Sequence, residues 1–193
     1  DPLFSELGKW ILWESILAAK QVLEIHPEFV LNVNLSYRQI EEPGFVDMVL
    51  QILKELEYPP EHLCLEVTER CRLLDLELLN NVVVSLKASG ILVALDDFGT
   101  GFSSVGILKE IPVDVIKIDR SFVITIEEDA VDRQLVRNIV NLASLFGAKT
   151  CVEGLETTGM RDILTQYDVS SFQGYYYARP LTLEQLLEWK DKS

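Results

Sequence analysis

Apolar positions recur along this chain with two alternating periods. Leu7 to Ile25 has helical spacing, with Trp10, Ile11, Ile16 and Leu17 among its apolar positions. Phe29 to Leu35 is a short apolar run and predicts a strand. Phe45–Glu57 is helical again, Leu63–Thr68 strand-like, Leu76–Lys87 helical and Ile91–Leu95 a purely apolar strand. A glycine-rich loop and a short helix lead to a strand over Val113–Ile118. Val131–Phe146 predicts a helix stopped by Gly147. The chain closes with a strand at Lys149–Val152, a helix at Gly159–Gln166, a strand at Val169–Phe172 and a helix at Leu183–Trp189, for which Thr182 is a cap. The acidic run Glu127-Glu128-Asp129 is read as a solvated helix start, and the tryptophans Trp10, Trp13 and Trp189 as packing residues.

Strands that are apolar on both faces, each followed by a helix, predict a parallel α/β sheet. The two architectures are an open doubly wound sheet and a (β/α)8 barrel. The barrel needs eight strands and about 250 residues. Six strands and 193 residues fit only if the first two strands are absent. No linker or repeat divides the chain, so residues 1–193 are read as a single domain.

Each strand ends in chemistry. The six ends read Asn32-Val33-Asn34-Leu35-Ser36, Glu66-Val67-Thr68-Glu69, Asp96-Asp97, Lys117-Ile118-Asp119, Glu153-Gly154 with Glu156, and Gln173-Gly174. In parallel α/β folds ligands bind at that edge. The donors are carboxylates and amides without His or Cys, which suits Mg²⁺, Mn²⁺ or Ca²⁺ rather than zinc or copper. Adjacent Asp96 and Asp97 repel unless a cation lies between them. Two ions about 3.5–4 Å apart are a usual device for attack on a phosphodiester. Lys117 could hold water or a phosphate oxygen, or it could pair structurally with Asp119 or Asp96. The Asp97-Phe98-Gly99-Thr100-Gly101-Phe102-Ser103-Ser104 loop allows tight turns and close backbone approach.

Composition narrows the partners. The net charge of −14 repels nucleic-acid backbones, so DNA and RNA are not expected ligands. No apolar window is long enough to span a membrane. His26 and His62 flank prolines and read as loop residues, which argues against a His-based triad or zinc cluster. Cys64, Cys71 and Cys151 are odd in number and lack metal spacing, so a reduced, cytoplasmic setting is expected. Arg120 and Arg133 receive no role. One of Tyr175, Tyr176 and Tyr177 could stack on a base or fill the rim.

The set Asn34-Leu35-Ser36, Leu65-Glu66-Val67-Thr68-Glu69, Asp96-Asp97-Phe98-Gly99-Thr100-Gly101, Lys117-Ile118-Asp119, Glu153-Gly154 with Glu156-Thr157, and Gln173-Gly174-Tyr175 resembles the EAL domain, a bacterial cyclic di-GMP phosphodiesterase family. The resemblance runs over essentially the whole chain, in order and spacing. It implies an EAL-type TIM-like barrel of which this chain is the C-terminal three quarters. The Glu-Ala-Leu signature that names the family, a metal ligand on its second strand, is absent.

The resemblance further implies two Mg²⁺ or Mn²⁺ ions on Asn34, Glu66, Asp96 and Asp97. It gives Lys117, Glu153 and Asp96 the catalytic roles, and Gln173 and Asp119 a substrate and water network. Glu69 would anchor the loop that contains Gly99, Thr100 and Gly101. The substrate would be cyclic di-GMP and the product linear pGpG. A homodimer, an upstream sensor domain and membrane attachment through other domains are further expectations. Two other functions compete: a receptor that binds cyclic di-GMP without cleaving it, and a protein-interaction module whose exposed sheet edges are closed by another chain.

Overall fold

The computed structural model describes residues 2–68, 75–99 and 104–189. Its elements are α1 (Pro2–Ile25), β1 (Leu31–Leu35), α2 (Tyr37–Ile40), α3 (Phe45–Glu55), β2 (Leu63–Thr68), α4 (Leu76–Ala88), β3 (Leu92–Phe98), α5 (Ser104–Glu110), β4 (Val115–Ile118), α6 (Ala130–Leu145), β5 (Lys149–Val152), α7 (Thr158–Leu164), β6 (Ser171–Phe172) and α8 (Leu183–Leu187). Short 3-10 turns occupy Pro60–His62 and Arg120–Phe122. The strands form one six-stranded sheet in chain order. The pairings β1–β2, β3–β4, β4–β5 and β5–β6 are parallel. Each strand is followed by a helix, the expected (β/α) pattern with six strands where a full barrel has eight.

The chain forms two compact units, and β3 runs from one into the other. The first holds described residues 2–67, 75–93 and 182–189. Here α1 packs against β1 and α8, and α4 packs against α2 and α3. The α3 stripe Phe45, Val49, Ile52 and Leu53 is buried at i, i+4, i+7 and i+8 spacing. Each such side chain contributes about 1.5–3 kcal/mol relative to exposure. The second unit holds residue 68 and described residues 94–181. Its β4 is flanked by β3 and β5, and α6 packs on β4 and β5 through Val136, Ile139, Val140 and Ala143.

Several boundaries differ from the sequence expectation. β3 continues through Asp96 and Asp97 to Phe98, so the two carboxylates lie inside the strand rather than after it. The last strand is only Ser171–Phe172, and α1 begins at Pro2. Helix α2 was not expected, although Ser36 and Gln39 form a complete capping box there. α1 buries Leu12, Ile16, Ala19 and Val22, whereas Trp10, Ile11 and Leu17 are exposed. Trp10 is therefore not a packing residue: α1 carries apolar side chains on two sides, and only one faces the core. Asp129 caps α6 as the acidic run predicts, but Glu127 accepts a hydrogen bond from Thr157 Oγ1 and is not simply solvated.

Candidate active site

In the first unit, β1 and β2 place Asn34 directly opposite Glu66 in the ladder. Glu66 is only 4% exposed while Asn34 is exposed, so a buried carboxylate and an open amide meet at the strand ends. Beyond Asn34 the chain turns at once. Ser36 N–H donates to Gln39 Oε1 at 3.0 Å, and Gln39 N–H returns to Ser36 Oγ. A cavity of about 90 Å³ lies beside this turn, lined by Leu7, Gly8, Val33, Asn34 and Gln39 among others.

In the second unit the geometry centres on Lys117. Its side chain is buried, at 8% exposure, between two carboxylates. Nζ lies 2.7 Å from Glu153 Oε1 and 3.1 Å from Asp96 Oδ1. Strand order explains this: β4 carries Lys117 between β3, which carries Asp96, and β5, which ends just before Glu153. The structural pairing of Lys117 with Asp96 is thus present, with Glu153 as an additional partner. Among the described residues, buried Asp96 Oδ1 accepts no directed hydrogen bond, so its contact with Nζ is one of charge.

The two aspartates sit on a β-bulge. Leu95 pairs with Ile116 and Phe98 with Ile118, so β3 advances three residues while β4 advances two. Asp97 adopts φ +56, which an aspartate tolerates better than a bulky residue. Adjacent residues of a regular strand point to opposite faces. The bulge breaks that alternation at Asp96-Asp97, as bulges beside functional sites do.

The other expected site residues divide as follows. Gly99 has φ +98 and lies against Phe122: a Cβ there would fall 2.9 Å from its ring. Glu69, Thr100 and Gly101 lie outside the described residues. Asp119 Oδ1 accepts the Ser121 N–H at 2.9 Å and caps the 3-10 turn Arg120–Phe122. Gln173 is exposed and held by its backbone, whose N–H donates to Val152 O and whose carbonyl accepts from Leu155 N–H. Tyr175 is half exposed with Arg179 over its ring, and Tyr176 accepts a hydrogen bond from Arg161. Arg120, to which the sequence assigns nothing, pairs with Glu156 at 2.7 Å.

The donors of each unit are alike in chemistry. Asn34 and Glu66 in the first unit, and Asp96, Asp97 and Glu153 in the second, offer oxygen, the hard ligand type that Mg²⁺ and Mn²⁺ take. Asp96 Oδ1, buried beside the Lys117 ammonium and without a directed hydrogen bond among the described residues, is an oxygen of the type such an ion takes. Among the described residues, no three His, Cys, Asp or Glu side chains already converge as a metal cluster. Cys64 and Cys151 form no disulfide among the described residues, and Cys71 lies outside them. No helix of the described residues is long and apolar enough to cross a membrane.

With this geometry in hand, known proteins give a consistent comparison. The EAL domain family profile matches residues 1–180. The chain is 36% identical over 186 residues, 96% of its length, to the bifunctional diguanylate cyclase/cyclic di-GMP phosphodiesterase MucR of Pseudomonas aeruginosa. It spans only 27% of that relative. A solved structure of the PaMucR phosphodiesterase in complex with c-di-GMP superposes with TM-score 0.88 at 35% identity, covering 96% of this chain and 75% of that one. The EAL domain of Mycobacterium smegmatis DcpA gives TM-score 0.90 at 34% identity, covering 95% and 83%.

Proposed function

This chain belongs to the EAL domain family, and from that premise we propose that it is the phosphodiesterase domain of a cyclic di-GMP hydrolase. The observation that carries the reading is Lys117, a buried ammonium held by Asp96 and Glu153 at the carboxyl ends of three neighbouring strands. A cation kept dry at that edge is a fixed electrostatic group for a phosphodiester and its attacking water. In the reaction, water adds across one P–O bond of the ring. The oxygen of water joins phosphorus, the ribose oxygen leaves as a hydroxyl, and linear pGpG results.

The residues divide the work. Lys117 holds the nucleophilic water, and Glu153 fixes the ammonium and accepts hydrogen bonds from water. Asn34, Glu66, Asp96 and Asp97 would hold Mg²⁺ or Mn²⁺. When bound, these ions supply charge neutralisation at the phosphate and a more acidic water. Gln173 and Asp119 border the substrate, and Glu69 with the Gly99–Gly101 loop supports the metal ligands. A cytoplasmic location, a homodimer and an upstream sensor domain complete the reading.

The test is direct. The intact protein is incubated with cyclic di-GMP and Mg²⁺ or Mn²⁺, and products are separated by chromatography beside Glu66→Gln. Formation of pGpG by the parent, lost with Glu66→Gln or on chelation, is the expected result. Binding of cyclic di-GMP without any turnover would overturn it in favour of a receptor.

A further inference from the structure

The 3-10 turn Arg120–Phe122 follows β4 directly, three residues after Lys117. It sends its two large side chains onto two glycines. The Arg120 stem lies against Gly154: a Cβ at Gly154 would fall 2.3 Å from Arg120 Cγ. The Phe122 ring lies against Gly99, where a Cβ would fall 2.9 Å from Cε2 and Cζ. Both glycines hold positive φ, +74 and +98, so each backbone conformation and each close approach excludes a side chain. Gly154 immediately follows Glu153, and Gly99 stands two residues after Asp97. One turn therefore touches the segments that bring both carboxylates to Lys117, one from each neighbouring strand.

Further contacts close the brace. Arg120 Nη2 pairs with Glu156 Oε1 at 2.7 Å, Asp119 caps the turn, and Glu153 N–H donates to Ile118 O at 3.1 Å. The Arg120–Glu156 pair is about half exposed, and such pairs add little to global stability. Its effect is local. Carboxylates held by short loops lose their setting when the loop relaxes, and a misplacement of about 1 Å can cost roughly 10²-fold in rate.

We propose that Arg120 and Phe122 are positioning residues: together they set Glu153 and Asp96 on Lys117, and neither touches the reacting atoms. This rests on the phosphodiesterase reading, so the test has a readout that needs no substrate. In the intact protein, Arg120→Ala, Arg120→Lys and Phe122→Ala are compared with the parent by steady-state kinetics on cyclic di-GMP, by thermal melting and by amide hydrogen exchange.

The expected result for Arg120→Ala is a fall in kcat of about tenfold or more, KM within about threefold of the parent and a nearly unchanged melting temperature. Arg120→Lys keeps the stem and charge and recovers most of the rate. Exchange at the Leu155 amide, which bonds Gln173 O, speeds up in Arg120→Ala while β4 stays protected. An unchanged kcat, a raised KM at constant kcat, or a rate loss that only follows loss of folding overturns the proposal. If the parent shows no turnover but Leu155 exchange responds to Arg120→Ala, the brace stands and the phosphodiesterase reading fails. If turnover is present and both rate and exchange ignore Arg120, the brace fails alone.

Discussion

Lys117 Nζ stands 2.7 Å from Glu153 Oε1, and the two carboxylates around it keep only 13% and 18% of their side-chain surface. Removing one partner of a buried pair leaves the others without counter-charge. Lys117→Met should therefore destabilise the protein by about 3 kcal/mol, near the low end for buried pairs because Asp96 and Glu153 retain some solvent. Urea denaturation measures it, and the double variant Lys117→Met with Glu153→Gln should recover part of the loss.

Asp97 occupies φ +56 on the bulge of β3. Asparagine tolerates that conformation and a β-branched residue does not. Asp97→Asn should fold normally, while Asp97→Val should cost about 1–2 kcal/mol more. Comparison of the two denaturation midpoints checks this and separates backbone strain from loss of charge.

Much of this was legible in the residues. Apolar strands stand out because a parallel sheet buries them, and Asn34, Glu66, Lys117 and Glu153 each appear at or near the carboxyl end of one. What escaped is non-local or depends on one extra residue. The bulge that keeps Asp96 and Asp97 inside β3 is set by the register of β4, which no local pattern encodes. The face of α1 that is buried could not be chosen from two apolar stripes. Arg120 looks like any surface arginine until Gly154, 34 residues on, is brought against its stem. The α2 capping box Ser36 to Gln39 was readable and is the kind of signal worth weighing.

Gly174 and Gly106 make a matched pair for substitution. A Cβ at Gly174 would fall 2.1 Å from Leu155 O, a backbone atom that cannot rotate away. A Cβ at Gly106, within α5, meets nothing within 4 Å. Gly174→Ala should lower the melting temperature by several degrees and reduce turnover. Gly106→Ala should leave turnover intact and add roughly 0.5–1 kcal/mol through helix propensity.

Tyr58 is buried, and its hydroxyl donates to His62 O at 3.1 Å. Burial pushes its pKa up to about 12 from 10.0. The folded state therefore holds the proton more tightly than the unfolded chain does. The contribution is complete below pH 10 and is lost as pH rises towards 12. Tyr58→Phe should flatten that part of the stability curve and cost about 1 kcal/mol at neutral pH. Denaturation midpoints at pH 7 and across pH 9.5–11.5 would show it.

The most direct measurement is cyclic di-GMP hydrolysis by Lys117→Ala beside the parent in Mn²⁺, with nucleotide binding followed by calorimetry. A buried cation that acts on the attacked phosphodiester predicts a rate lower by about 10²–10³-fold with binding weakened far less. Hydrolysis by Lys117→Ala at the parent rate would contradict the active site described above.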